Sequence, residues 1–151
     1  MTKDHILIQL SESEMAKIGK EDFGTQSIPQ QVFSAVWELE AEVNNGGFSQ
    51  YFQNSSAETA PFIVAALETI EASQAAGIAM DAINAGFPDG LPTTPEAITA
   101  RAATFSDDIL GQLDGLDKQF CLYPDNLTDL LFDFVSKHPD EFGVMPVPDD
   151  N

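Results

Sequence analysis

Apolar residues recur at helical spacing through most of this chain, and that periodicity is the feature that most restricts its fold. The alternation typical of a half-buried strand is absent except at 6–10, where one short N-terminal strand is the alternative to a helix. The sequence therefore predicts an all-α fold, built as a compact multi-helix single domain over residues 1–151. Residues 1–10 and 144–151 are the segments where we expect mobile tails.

Capping residues and helix breakers divide the chain into helices. Ser27, with Pro29 in the first turn, opens a helix that should stop at Asn44-Asn45-Gly46-Gly47. Further helices are predicted over 61–71, over 73–85 with Gly86 after it, from Thr94 through Leu113 with a bend at Gly111 or Gly115, and from Leu127 to His138-Pro139 with Asn126 or Asp125 as its cap.

The net charge of this chain restricts the kinds of partner that it can bind. Six Lys and Arg stand against 25 Asp and Glu, which gives a net charge of −19. A body of this charge repels nucleic-acid phosphates and anionic lipid surfaces, so direct binding to either is disfavoured. It attracts counterions, a metal or the basic face of another protein. The alternative is that the acids form a solvated face that serves solubility or salt adaptation.

The cysteine count and the N-terminal residues indicate a compartment. Cys121 is the only cysteine, so no intrachain disulfide can form and a reducing environment fits. The apolar stretch after Lys3 is too short for a signal peptide, and no run of about 18 apolar residues is present that could span a bilayer. The sequence predicts a cytoplasmic protein.

Three aspartates recur at helical spacing near the C-terminus. Asp125, Asp129 and Asp133 fall at i, i+4 and i+8, which places them on one helix face opposite the Leu and Phe stripe. Like charges at this spacing cost roughly 0.2–0.5 kcal/mol per pair, a cost that folding alone does not explain. Such a row resembles the phosphates of a nucleic acid strand, so we predict that it binds a basic protein surface. The full set of predicted partner-binding residues is Asp125, Asp129, Asp133, Asp107, Asp108, Asp114, Asp117, Glu68, Glu71 and Asp81.

The segment 42–54 is the most distinctive of the chain. Asn and Gly end a helix, and the aromatic residues that follow at i, i+3 and i+4 should enter the core. We expect Glu42, Asn44 and Gln50 to bond backbone groups freed at the break. The residues of this structural motif are Glu42, Asn44, Asn45, Gly46, Gly47, Phe48, Gln50 and Tyr51.

This segment also resembles a known bacterial family. Trp37-Glu38-Leu39-Glu40-Ala41-Glu42-Val43-Asn44-Asn45-Gly46-Gly47-Phe48, then Gln50-Tyr51-Phe52 and Asn54-Ser55, are similar to the signature of the DMP19-like family, over about 36–55. The family takes its name from a DNA-mimic protein. The resemblance implies a mostly helical fold, dimerisation and, as for that member, binding to a helix-turn-helix transcription factor in place of its operator. The mimicry depends on acids outside the signature.

Residues typical of catalysis are few. We expect His5 and His138 to have surface or capping roles, because neither belongs to a zinc-type spacing. Cys121 could act as a nucleophile with His138 as its base, but Phe120 and Leu122 beside it favour a buried small hydrophobic residue. Carboxylate pairs are abundant, and an enzyme would require a concave pocket that holds a carboxyl of raised pKa.

The remaining charged residues suggest only weak sites. Arg101 is the only arginine and should pair with Glu96 or Asp108. A calcium site at Asp107-Asp108 with Asp114 and Asp117 lacks the ligand pattern of an EF-hand, so weak, nonspecific divalent binding is expected instead. The sequence predicts no enzyme, no metal and no cofactor.

Two functions follow from these observations. The first is a DNA-mimic protein that binds the basic surface of a transcription factor or nucleoid protein and blocks its access to DNA. A homodimer suits this function, since dimeric repressors read two half-sites about one helical turn apart. The alternative is an acidic adaptor or immunity-type protein whose cationic partner is unrelated to DNA.

Overall fold

The protein is all-helical, as predicted. The computed structural model describes residues 1–18 and 20–149, and the regular elements of that part are eight α-helices and two 3₁₀ turns, without a strand. The helices are α1 (Lys3–Glu12), α2 (Ile28–Gln53), α3 (Ala60–Thr69), α4 (Ser73–Gly86), α5 (Pro95–Ala102), α6 (Asp107–Cys121), α7 (Leu127–Ser136) and α8 (Pro139–Phe142), and the 3₁₀ turns are Phe23–Thr25 and Ser55–Thr59.

The long helix α2 lies at the centre of the fold. Its residues Val32, Phe33, Ala35, Val36 and Leu39 have no exposed surface. Positions 32–36 are buried without interruption, so this part of the helix has neighbours on all sides. Helices α3, α5, α6 and α7 contact α2, while α4 packs against α3 and α6, and α1 packs against α7. Because fully burying a large apolar side chain contributes about 1.5–3 kcal/mol, α2 organises the core.

The N-terminal segment is a helix and not a strand. Thr2 caps α1 by accepting a hydrogen bond from the backbone N–H of His5 at 3.2 Å. Ile6, Leu7 and Leu10 are buried, and their spacing of one and three residues fits one helix face. The alternative strand at 6–10 is therefore wrong. Residues 150 and 151 of the expected C-terminal tail lie outside the described residues, and Asp149 forms an ion pair with the N-terminal ammonium at 2.8 Å.

The predicted end of α2 at 44–47 is instead a kink within it. Ser27 caps the helix, as expected, and forms a capping box with Gln30, but the chain bends at Gly47 and resumes helical geometry at once. Gly47 has φ 80° and ψ −179°, a conformation that L-residues with a side chain rarely adopt. A single glycine is enough to redirect the helix without ending it. Tyr51 and Phe52 then enter the core, as predicted.

The predicted helix from Thr94 through Leu113 is two helices. Thr94 caps α5 by accepting from the N–H of Ala97 at 3.1 Å, but α5 ends at Ala102. Ser106 caps a new helix, since its Oγ accepts from the N–H of Ile109 at 3.2 Å. The break therefore precedes both of the glycines at which a bend was expected. A serine that could lie in a helix interior is here the start of one.

Candidate functional site

Hydrogen bonds from side-chain amides hold the geometry of the α2 kink. Glu42 Oε2 accepts hydrogen bonds from Gln50 Nε2 and from Asn54 Nδ2, both at 2.8 Å. Asn45 Nδ2 donates to Gln50 Oε1 at 3.3 Å, and Asn44 Nδ2 donates to the Tyr123 hydroxyl at 2.8 Å. The side chains of the predicted motif therefore form hydrogen bonds with one another, with Asn54 and with Tyr123 after α6. The prediction that Glu42, Asn44 and Gln50 bond backbone groups freed at a helix break is wrong.

Asp117 of α6 supplies the backbone contact at the kink. Its Oδ1 accepts from the N–H of Phe48 at 2.7 Å, and burial raises the pKa of this carboxyl. A Cβ placed on Gly47 would lie 2.2 Å from Asp117 Oδ2, so glycine is required there for space as well as for backbone conformation. Asp117 was predicted to bind a partner, but this position ties it to the core.

The predicted row of aspartates is not a free row of charge. Asp125 lies before the Asn126 cap of α7, and its Oδ2 accepts from the N–H of Ala75 in the first turn of α4 at 2.9 Å. Asp129 forms an ion pair with Lys3 at 3.2 Å. Asp133 is the member of the row that stays exposed and has no ion pair among the described residues. Asn126, the first of the two predicted caps, is confirmed.

Six of the predicted partner-binding acids remain available on the outer surface. Asp114 is ion-paired with Lys118 at 3.0 Å, and Asp108 accepts only from the side-chain amide of Gln112 at 3.0 Å. Glu71 and Asp133 line the same groove, of about 260 Å³, together with Lys137. We call the following exposed carboxylates, which have no ion pair within the described residues, the acidic surface: Glu68, Glu71, Asp81, Asp107, Asp108 and Asp133.

A separate cavity holds an acid that sequence reasoning did not select. The cavity has a volume of about 580 Å³ and lies between α2, the loop before it and the Ser55–Thr59 turn. Glu38 of α2 lines it, and Glu38 Oε2 is fully buried without a hydrogen-bond partner. Burial, with smaller contributions from the charges of Glu58 and Glu42, raises the pKa of Glu38 to about 7. We call this the Glu38 cavity.

More acids surround the Glu38 cavity than bases. Glu21, Asp22 and Glu58 also line it, against the single base Lys20. Burial and the charge of Asp22 raise the pKa of Glu58. The sequence signal for this site is an acid at position 38 between Trp37 and Leu39 in the apolar part of α2, because part of such a side chain is withdrawn from water.

A second polar cluster lies at the C-terminal end of α6. The Tyr123 hydroxyl donates to Glu40 Oε1 at 3.2 Å, and burial raises the pKa of Glu40. Cys121 Sγ donates to Asn44 Oδ1 at 3.4 Å. Cys121 is exposed and not buried as expected, because α6 turns its Phe120 side chain, and not the thiol, into the core. Burial of its surroundings and the Asp117 charge raise the pKa of the thiol, which makes it a weak nucleophile.

The two histidines and the arginine do not contribute to a site. His5 is exposed, and His138 Nδ1 lies 2.7 Å from the Phe134 carbonyl oxygen. The predicted pairing of Arg101 with Glu96 or Asp108 is wrong: Arg101 is exposed, and within the described part of the chain no carboxylate lies within 4.0 Å of its guanidinium.

Over residues 1–18 and 20–149, no three His, Cys, Asp or Glu side chains are grouped as a metal ion would need. None of the helices in the same ranges combines the length and the apolar character of a membrane span.

Together these features define an acidic, all-helical protein with a kinked central helix and many unpaired surface carboxylates. The chain belongs to the DMP19-like protein family, whose family model matches residues 25–138. This match extends well beyond the signature around 36–55 and includes helices α2 to α7. No curated protein and no solved structure matches the chain.

Proposed function

We propose that this protein is a DNA mimic that binds the basic surface of a DNA-binding protein and blocks its access to DNA. The observation that supports this most directly is the acidic surface, whose carboxylates lie on helices of the family-matched region or, for Glu71, in the turn between α3 and α4, and form no ion pair within the described residues. The family includes a DNA-mimic protein. Exposed carboxylates that have no ion pair in the described part of the chain are free to pair with a partner's Lys and Arg side chains.

We further propose that the protein acts as a homodimer. A two-fold symmetric pair of acidic surfaces could face both basic helices of a dimeric helix-turn-helix repressor, whose half-sites lie about 34–36 Å apart. Analytical ultracentrifugation of the full chain tests this directly. A strictly monomeric protein at partner-binding concentrations would contradict it.

Capture followed by competition tests the proposed function. The protein is used as bait in a lysate of its source organism, and bound proteins are eluted first with duplex DNA and then with salt. We expect duplex DNA to release a transcription factor or nucleoid protein. If DNA releases nothing and salt releases a protein that does not bind DNA, the proposal is wrong and the adaptor or immunity-type function is favoured.

A charge-neutralised variant then locates the binding surface. The change Asp107→Asn, Asp108→Asn and Asp133→Asn removes three charges from the acidic surface and should weaken partner binding and reduce its salt dependence. The matched control removes three exposed charges elsewhere, as Asp89→Asn, Glu96→Gln and Asp140→Asn. Equal binding by both triple variants at every salt concentration would show that the acidic surface is not the binding surface.

One observation favours a second candidate, a carboxylate-based acid–base enzyme. Glu38 has the raised pKa and the concave setting that such an enzyme requires. The neighbouring Ser34 hydroxyl donates to Gln26 at 2.9 Å and is not activated by a base. This candidate predicts binding of an uncharged small molecule in the Glu38 cavity, whereas the DNA mimic needs only cationic partners.

A further inference from the structure

A groove between α4 and α6 is lined by uncharged side chains. It has a volume of about 310 Å³ and lies where the first turns of α4 meet the end of α6. The Glu38 cavity and the groove beside Asp133, by contrast, both contain acids. At this recess a second negatively charged body meets no fixed charge in the lining. We call it the α4–α6 groove, and its lining residues are Gln74, Ile78, Gln119, Leu122 and Pro124.

Leu122 lies at the edge of this groove with 82% of its surface exposed. The residues around it hold it there. Phe120, two positions earlier, is buried in the core, and the Tyr123 hydroxyl donates to Glu40 Oε1 at 3.2 Å. Leu122 cannot turn inward without the loss of these contacts. One chain therefore presents both a protruding apolar side chain and, beside it, an uncharged recess, and a two-fold axis makes such a pair self-complementary.

The groove is preformed, because hydrogen bonds tie its walls together. Gln74 Nε2 donates to the carbonyl oxygen of Pro124 at 3.2 Å, and Asp125 Oδ2 accepts from the N–H of Ala75 at 2.9 Å. Helices α4 and α6 also pack directly against each other. A recess that is already rigid loses little conformational entropy when a side chain enters it.

The charge of the chain selects the occupant of the groove. A basic partner is attracted to the acidic surface and gains no electrostatic energy from an uncharged lining. A second copy of this chain, with its own net charge of −19, is repelled by the acidic surface and associates most easily where the contact residues carry no charge. Such a contact depends on apolar burial, which Leu122 and the edge of Ile78 can supply.

We propose that the α4–α6 groove is the dimer interface of this protein, and that Leu122 of each copy fills the groove of the other copy across a two-fold axis. This deepens the proposed function and rests on the homodimer proposed there. Asp108 of the acidic surface precedes Leu122 by 14 residues, about 21 Å along α6. The dimer therefore places its two Asp108 residues on opposite sides of the axis and no more than about 42 Å apart. An oblique crossing of the two α6 helices reduces this separation to the 34–36 Å between two half-sites.

Analytical ultracentrifugation of the full chain and of two surface variants tests the interface. Leu122→Asp places a charge in the groove of both copies, so the Kd of the dimer should rise at least about a hundredfold. The matched control Val147→Asp introduces the same charge at a side chain that is 91% exposed in the C-terminal segment, and it should leave the Kd within about twofold. Thermal unfolding of both variants checks that they remain folded.

The salt dependence of the dimer is a second measurement. Salt screens the repulsion between two copies of like charge, so the Kd of the dimer should fall as NaCl rises from about 0.05 to about 0.5 M. The affinity for a basic partner should change in the opposite direction, because salt weakens attraction between opposite charges. A dimer that weakens as salt rises would be held by ion pairs, and the proposed interface would be wrong.

A distance measurement locates the two-fold axis without a disruptive change in the groove. Cys121 is the only cysteine, so the double variant Cys121→Ser and Gln112→Cys carries one nitroxide label per copy. Gln112 precedes Leu122 by ten residues, about 15 Å along α6, so the labelled backbone positions should lie no more than about 30 Å apart. Pulsed electron paramagnetic resonance measures this distance. A separation that exceeds it by more than the two label arms would place the axis elsewhere.

The outcomes separate the interface from the proposed function. A monomeric parent would overturn the interface and the homodimer together, while DNA competition still decides whether the protein is a DNA mimic. If Leu122→Asp stays dimeric, the groove is not the interface, and loss of the captured partner by this variant would show that the groove binds that partner instead. If Leu122→Asp is monomeric but duplex DNA releases nothing from the parent, the interface stands and the DNA mimic is wrong.

Discussion

Neutralising Glu38 should stabilise this protein, although it removes a charged side chain from its centre. Glu38 titrates at its ordinary pKa of 4.5 when the chain is unfolded and at about 7 when it is folded, because burial and the nearby charges of Glu58 and Glu42 disfavour the ionised form. The folded state therefore binds this proton more tightly. The contribution of this protonation to the free energy of unfolding is complete below pH 4.5, falls as pH rises, and is lost above pH 7.

The size of the effect follows from the same shift. One pKa unit corresponds to 1.36 kcal/mol, and because part of the side chain keeps contact with water we expect about 1–3 kcal/mol for Glu38. Glu38→Gln keeps the shape of the protonated acid and stays neutral at every pH. Its free energy of unfolding should therefore match that of the parent at pH 4.5 and exceed it by this amount at pH 8.

Urea unfolding at the two pH values measures this difference. Linear extrapolation gives the free energy of unfolding for the parent, for Glu38→Gln and for the control Glu14→Gln, whose acid is exposed. The control should show no comparable gain at pH 8. A Glu38→Gln variant that is less stable than the parent at pH 8 would refute the reasoning, because it would mean that the ionised carboxylate has a stabilising partner.

Three further changes test the contacts that shape the fold. Gly47→Ala should destabilise the protein by about 1–3 kcal/mol, because the positive φ is strained and the new Cβ would lie 2.2 Å from Asp117 Oδ2. The control Gly77→Ala, at a helix position with open space around it, should instead stabilise the protein by about 0.5–1 kcal/mol. Equal effects of the two changes in thermal unfolding would contradict the predicted strain at Gly47. Asp117→Ala should cost about 1–3 kcal/mol through the unsatisfied Phe48 N–H, and an unchanged urea midpoint would show that water replaces the carboxylate. Asp125→Ala should cost about 0.5–2 kcal/mol by removing a cap of α4, with partner affinity unchanged; a loss of affinity at full stability would return Asp125 to the binding surface.

Much of the helical organisation could be predicted because it is encoded locally. The caps Ser27, Thr94 and Asn126 act within three residues of their own position, so the sequence beside them is sufficient evidence. The errors are local conflicts that packing resolved. Gly47 could end a helix or bend it, and the bend prevailed because α2 continues into the core on both sides of it.

The sequence by itself determined the helical class, the family and the excess of negative charge, since periodicity, a contiguous signature and composition need no third dimension. Only the tertiary structure decided which carboxylates are free. Asp117, Asp125 and Asp129 are bound to groups 69, 50 and 126 residues away along the chain. Electrostatic pairing depends on distance in space, so residues on a single predicted helix face acquired different partners. Within the described residues, Glu38 on the central helix has a buried carboxylate oxygen without a hydrogen-bond partner.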